Sequence, residues 1–347
     1  MRAFSFVILV LSWAATAPAQ NADRFPFQVV AGSGFVDGTG KIVIPPKYTQ
    51  VREFHEGVAA VMRNEKWGYV DSNGAEVVAP IYRGAEDFSE GVGLVMDDAG
   101  HTASVDHQWH AKVLDCIPLA PNDISSYVPP PFSEGLTEFQ SGSDTLYIDR
   151  DCNRVIVQPG AGEPFSDGLA SVRNGQKNGY IDHTGKMAIP MKFTFGCSFH
   201  EGMACVDIDG GGRGYIDRSG KFVIQPQFGG KSQDFSEGVA AVQIEKKMGY
   251  IDKNGKIVIP ATFDEAYDFS EGLAQVRNRT AKTAAHTQQD ITTGGDDIFF
   301  IDHSGKPAFA AHFEFAFADT FTHGLIYVVN HGTDTFVNRQ GALVAPH

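Results

Sequence analysis

Short runs of Val, Ile, Ala, Tyr and Phe alternate with clusters of Gly, Pro and Asp along nearly the whole chain, and no apolar stripe at helical spacing runs through them. That pattern predicts strands joined by tight turns, an all-β protein. In Gly57-Val58-Ala59-Ala60-Val61-Met62 and its relatives, the second and fourth residues after the glycine stay Ala or Val in most copies, as at Ala170 with Val172 and Ala274 with Val276. They mark one buried face of a strand. The alternate positions vary. One row reads Ala60, Leu94, Glu138, Ser171, Cys205, Ala241, Gln275 and Tyr327, and the next reads Met62, Met96, Gln140, Arg173, Asp207, Gln243, Arg277 and Val329. Their variety predicts an exposed face, with Arg173, Arg277 and Tyr327 as candidate contact residues.

The strands belong to internal repeats. A phenylalanine, a polar residue, an acid and a glycine recur at Phe54-His55-Glu56-Gly57, Phe88 to Gly91, Phe132 to Gly135, Phe165 to Gly168, Phe199 to Gly202, Phe235 to Gly238 and Phe269 to Gly272, with a copy at Phe321-Thr322-His323-Gly324 that lacks the acid. The glycines step by 34, 44, 33, 34, 36, 34 and 52 residues, a period near 34 with two insertions. Between them runs an aromatic, an Ile or Val and an Asp, as in Tyr69-Val70-Asp71 or Tyr250-Ile251-Asp252, usually closed by a glycine three residues on. Asp can accept the amide two residues ahead and Gly supplies positive φ, so this is a hairpin turn. A third strand follows, such as Lys256-Ile257-Val258-Ile259-Pro260. Nine units of three strands result. Propeller blades usually have four strands in about 40 residues or more, so the period favours a solenoid-like array, with a closed propeller-like ring as the alternative.

These units resemble the WG, or KWG, repeat proteins, whose repeats read F-x-E-G-L-A-x-V, K-W-G-Y-I-D and G-K-x-V-I-x-P. The resemblance covers residues 32 to 346, although only Glu65-Lys66-Trp67-Gly68 keeps the tryptophan, and Lys177-Asn178-Gly179 and Lys247-Met248-Gly249 do not. It implies a bacterial secreted or periplasmic repeat protein and no particular reaction.

The N-terminus agrees with export. Arg2, an apolar run from Phe4 to Ala15 and Ala17-Pro18-Ala19 read as a signal peptide cleaved after Ala19, leaving residues 20–347 as one repeat domain. No run approaches the roughly 18 apolar residues of a spanning helix. The 28 basic and 42 acidic residues give a net charge of −14, which argues against nucleic acid or an anionic membrane surface as partner. In an oxidising compartment the four cysteines allow three pairings; Cys197 with Cys205 and Cys116 with Cys152 are preferred, since each pair falls in one repeat or in neighbouring irregular repeats.

The repeated acids read as building parts, because catalysis needs a unique constellation. Two places break the pattern. In the irregular unit 97–131, His101, Asp106, His107 and His110 gather around Trp109, a set that could hold a transition metal. The insertion 279–297 lengthens a hairpin, and long loops on rigid scaffolds often carry recognition. The expected function is a secreted or periplasmic scaffold that binds an extracytoplasmic protein or ligand, without catalysis or cofactor. A carbohydrate or cell-wall module using Trp109 or Tyr327 as a stacking ring is one alternative. A metal-dependent hydrolase at the irregular unit is another.

Overall fold

The computed structural model describes residues 24–29, 32–117, 128–279, 296–313, 315–316, 321, 324–330 and 333–344. The expected signal peptide, most of the 279–297 insertion and residues 118–127 of the irregular unit lie outside them. Every regular element described is a β-strand. The chain divides into two compact units, Met1–Phe165 and Ser166–His347. In chain order the first contains sheet 1 (strands within 25–48), sheet 2 (50–82), sheet 3 (84–113) and sheet 4 (137–159), and the second contains the long strands of sheet 5 (170–193) with sheet 6 (195–228), sheet 7 (235–263), sheet 8 (265–302) and sheet 9 (315–344), each a small antiparallel meander.

Sheet 7 shows the plan. A short first strand, Phe235–Ser236, turns through Glu237-Gly238 into Val239–Ile244, which pairs with Lys247–Asp252 and then with Ile257–Phe263. Sheets 2, 3, 6, 7 and 9 have four strands, and sheets 1, 4 and 8 have three. The three long strands are those read from the sequence. The short first strand was not foreseen, because two residues leave no periodicity to detect. With it, most of the sheets have the four strands of a propeller blade, the make-up of the propeller-like alternative.

Burial follows from that arrangement. Apolar clusters lie between successive sheets: Val58, Tyr69 and Val78 of sheet 2 pack on Phe88, Val95 and Val105 of sheet 3, and Met248, Ile259 and Phe263 of sheet 7 pack on Phe269, Val276 and Ile301 of sheet 8. A sheet covered on both sides has no exposed face. The first variable row, expected to face solvent, is therefore buried at Ala60, Leu94, Glu138, Ser171, Cys205, Ala241 and Gln275, with Tyr327 half-buried. Small and varied residues there reflect fitting to a neighbour.

The family glycine has a steric reason. In sheet 7 the register slips between Met248↔Phe263 and Tyr250↔Ile259, a bulge at Pro260 that brings backbone onto Gly249. A Cβ on Gly249 would sit 2.6 Å from the Ile259 carbonyl oxygen, and one on Gly68 would sit 2.4 Å from that of Val78. Sheet 4 has Leu146 at this position, paired squarely with Val157.

Successive sheets are joined by a recurring set of contacts. The acid of each Phe-x-acid-Gly turn has positive φ, between 50° and 54°, and the following glycine has φ between 82° and 86°, the two-residue hairpin turn that normally prefers Asn-Gly. The acid then accepts from the turn glycine of the next sheet: Glu56 from Gly91 at 2.9 Å, Glu90 from Gly135 at 3.1 Å, Asp167 from Gly202 at 2.6 Å, Glu201 from Gly238 at 3.1 Å, Glu237 from Gly272 at 3.0 Å and Glu271 from Gly324 at 2.6 Å. The same acids meet a cation that follows the turn Asp of that next sheet, as in Arg150 with Glu90 at 2.8 Å and Lys253 with Glu201 at 3.1 Å. Buried tyrosines add to the joint. Tyr69 donates to the Glu86 carbonyl at 2.6 Å and Tyr250 to that of Tyr267 at 2.7 Å, while their rings meet Phe88 and Phe269 edge-on at 5.0 Å.

Two outcomes are expected. Gly249→Ala should cost about 2 kcal/mol or more, read as a lower urea midpoint, because backbone cannot yield to the new Cβ; Gly230→Ala, with nothing within 4 Å, should stay within about 0.5 kcal/mol. Partial burial opposes ionisation of Glu201, but the Lys253 ammonium and the Gly238 amide outweigh it and hold its carboxyl below the usual 4.5. A depressed folded pKa means the contribution is fully present above pH 4.5 and is lost as pH falls through the lowered value. Glu201→Gln should thus cost about 1 kcal/mol at pH 7 and flatten the acid limb of a stability profile.

Candidate functional site

The strand order gives every sheet two unlike ends. At one end lie the acid-glycine turn and the Asp turn, occupied by the joints above. At the other lie the hairpin between the second and third strands and the connection to the next sheet. The second variable row sits near this hairpin end: Gln140 and Arg173 are exposed, Met62, Asp207, Gln243 and Arg277 are half-buried, and Met96 is buried. Val329 lies outside the described side chains.

At the hairpin end of sheets 2 and 3 a cleft of about 680 Å³ opens, lined by Arg52, Met62, Lys66, Trp67, Arg83 and Glu86 among others. Arg52 extends from the first strand of sheet 2, and its guanidinium grips Glu86 of sheet 3 through two hydrogen bonds of 2.6 and 3.1 Å. It also lies over the Trp67 ring, 5.4 Å from the centroid. Lys66 pairs with Asp98 at the rim. The cleft thus presents a half-buried indole, thioether and alkyl surface, and fixed cationic donors, a combination suited to an aromatic or carboxylate-bearing side chain.

Sheet 6 repeats the theme with other residues. Arg213 stands where sheet 2 has Trp67; it is buried, holds Asp207 at 2.8 and 3.1 Å, and lies 4.4 Å from the centroid of the exposed Phe195 ring. In sheet 8 Arg277 meets Glu265 at 3.3 Å and is largely covered. Arg173 remains exposed, its Nε donating to the Gly175 carbonyl at 3.2 Å.

The four residues expected to gather a metal are not brought together. His101 lies at the hairpin end of sheet 3, with Nδ1 2.9 Å from Asp97. His107 and His110 lie at the Asp-turn end, a strand-length away. His107 serves a joint, with Nε2 3.2 Å from Glu56 and its ring 4.8 Å from Phe88, while the exposed His110 is 3.4 Å from Asp106. Asp106 itself accepts the Gln108 and His110 amides at 2.9 Å, as the other turn aspartates do. The four residues therefore form no common metal site. Trp109 takes the turn glycine's place at φ 65° and is half-buried against sheet 3, and half-buried Tyr327 packs on Phe336 at 5.0 Å. Cys152 also replaces a turn glycine, at φ 69°, and bonds to Cys116; Cys197 bonds to Cys205.

One buried group stands out energetically. Glu138, in the inter-sheet row of sheet 4, has an Oε2 without a hydrogen-bond partner, and burial, reinforced by the charge of Glu163, pushes its carboxyl up to about 8. A raised carboxyl pKa means that the folded state holds the proton more tightly. Stability should therefore fall as pH rises from about 4.5 to about 8 and then level off. Glu138→Gln should flatten that slope, recovering on the order of 2 kcal/mol at pH 9 in denaturant titrations.

Repeated blade-like sheets, joined by one residue pattern and bearing unlike residues at their hairpin ends, define an all-β repeat protein of the β-propeller class. Within that class the chain belongs to the WG-repeat proteins: the pattern described as WG containing repeat matches residues 34–67, 67–99, 179–211, 214–247 and 248–279. No curated protein matches it in sequence. Among solved structures it is similar to a eukaryotic initiation factor, with a TM-score of 0.62 at 11% identity over 93% of this chain and 95% of that one. It also matches BamB from Moraxella catarrhalis (TM-score 0.44, 10% identity, 96% and 98% covered) and the dihydro-heme d1 dehydrogenase NirN (0.48, 14%, 88% and 77%). At these identities the first likeness speaks for the fold alone.

Proposed function

We propose that this protein is an extracytoplasmic binding scaffold that performs no chemistry of its own and receives a protein partner at the hairpin ends of its sheets. One observation carries the reading. The residues that repeat are consumed in joints between sheets, whereas the unlike aromatic and charged residues collect at the opposite end, where the Trp67 cleft opens. An acidic or aromatic partner side chain would fit between Trp67 and the Arg52–Glu86 pair. The N-terminal run Phe4 to Ala15 with Ala17-Pro18-Ala19 supports export. No helix among the described residues is long and apolar enough to cross a membrane.

The test is cross-linking of the exported chain, residues 20 to 347, in envelope extract of its source organism, with recovered proteins identified by mass spectrometry. A specific partner whose recovery drops at least tenfold with Trp67→Ala, while the circular dichroism spectrum is unchanged, is the expected outcome. Equal recovery with Trp67→Ala and Arg52→Ala would move the contact away from this cleft. No partner above background would overturn the reading.

A further inference from the structure

The Sγ atoms of Cys197 and Cys205 and a carboxylate oxygen of Asp234 lie within 4.8 Å of one another, the one such gathering of three or more metal-type donors among the described residues. Cys197 follows the first strand of sheet 6 (Phe195–Gly196), and Cys205 sits in its second strand (Met203–Asp207). The Cys197 amide donates to the Cys205 carbonyl at 2.9 Å, so the two residues stay in register whether or not their sulfurs are bonded. Asp234 approaches from sheet 7, immediately before the Phe235 turn motif. Its Oδ1 is buried without a hydrogen-bond partner.

Comparison with the matching joint of sheets 2 and 3 shows what is missing. There Asp87, also just before its motif phenylalanine and also with a buried Oδ1 lacking a hydrogen-bond partner, faces Arg52 at 3.9 Å and His55 at 3.7 Å through Oδ2. Arg52 stands two residues before Phe54, as Cys197 stands two before Phe199; Ala60 stands three after Gly57, as Cys205 stands three after Gly202; and His55 corresponds to His200. This joint therefore keeps the carboxylate and the histidine, but a cysteine stands in the place of Arg52 and its disulfide partner in the place of Ala60. Burial pushes the Asp234 carboxyl up, against the opposing influence of His200, the Cys205 amide and Arg213.

We propose that reduction of the Cys197–Cys205 disulfide opens a site for a thiophilic divalent cation of the zinc class, held by the two cysteine sulfurs and Asp234. A dithiol reductant supplies two electrons and two protons: its own sulfurs become a disulfide and the protein gains two thiols. Cation binding then displaces both thiol protons. Tetrahedral zinc takes sulfur at about 2.3 Å and carboxylate oxygen at about 2.0–2.2 Å, spacings that three donors already grouped in this way reach by side-chain rotation. The cation would give Asp234 the positive partner that Arg52 gives Asp87. While the sulfurs are bonded to each other, the site is closed.

The full chain is reduced anaerobically with dithiothreitol, freed of reductant and titrated with Co²⁺. Thiolate-to-cobalt charge-transfer absorption, abolished by Zn²⁺, is expected, with at least tenfold weaker Co²⁺ binding in Asp234→Asn. In parallel, Zn²⁺ should protect Cys197 and Cys205 of the wild-type chain from alkylation and leave Cys116 and Cys152 reactive, a readout that does not depend on any variant folding. A Cys197–Cys205 bond that resists dithiothreitol in the folded chain, absence of the charge-transfer band, protection of Cys116 and Cys152 instead, or unaltered Co²⁺ affinity in folded Asp234→Asn would each overturn the proposal.

Discussion

The sheets of this protein are held in sequence by an acid in an unfavourable backbone conformation. A glutamate at φ near 52° is uncommon, because an L side chain crowds its own carbonyl there. Asparagine would sit in the same turn at lower cost, yet would carry no negative charge to the neighbour. The carboxylate spans to the next glycine amide and to the Arg, Lys or His beside it, and that contact offsets the strain. Local propensity is thus subordinated to assembly in a way that explains why the motif recurs almost unchanged.

A second constraint acts within each sheet. The bulge at the proline of the last strand and the glycine opposite it are two halves of one requirement, since the extra residues push backbone into the space that a Cβ would occupy. The tryptophan before that glycine is free to change. Trp67, Asn178, Arg213 and Met248 all stand there, and the chain uses this freedom to vary the chemistry at the hairpin ends.

The repeats, the three long strands and the Asp turns were legible because each leaves a periodic trace. The short first strands were not, and neither was burial of the first variable row: Ala60 and Leu94 are compatible with a solvated face in isolation and are covered only because another sheet stacks on them. The site was harder to read. His101, Asp106, His107 and His110 are close in sequence, but a five-residue strand separates His101 from the others, and His107 proved to be a joint residue like Arg150 and Lys253. The cleft joins Arg52, Trp67 and Glu86, which are 15 and 19 residues apart in sequence. Trp67 was visible as the one retained family tryptophan, whereas Arg52 was not, since it lies in a first strand that no pattern reveals. Their meeting depends on how two sheets pack.

Each joint is made half by one sheet and half by the next, with the acid reaching forward and the glycine and cation waiting to receive it. A repeat copied in tandem brings a donor half at one border and an acceptor half at the other, so it can be spliced between existing neighbours without redesign of either. Lengthening a hairpin leaves both halves untouched. Growth by duplication and diversification by loop insertion are therefore separable routes of change for such a chain, and the uneven steps of 44 and 52 residues among steps near 34 fit the second.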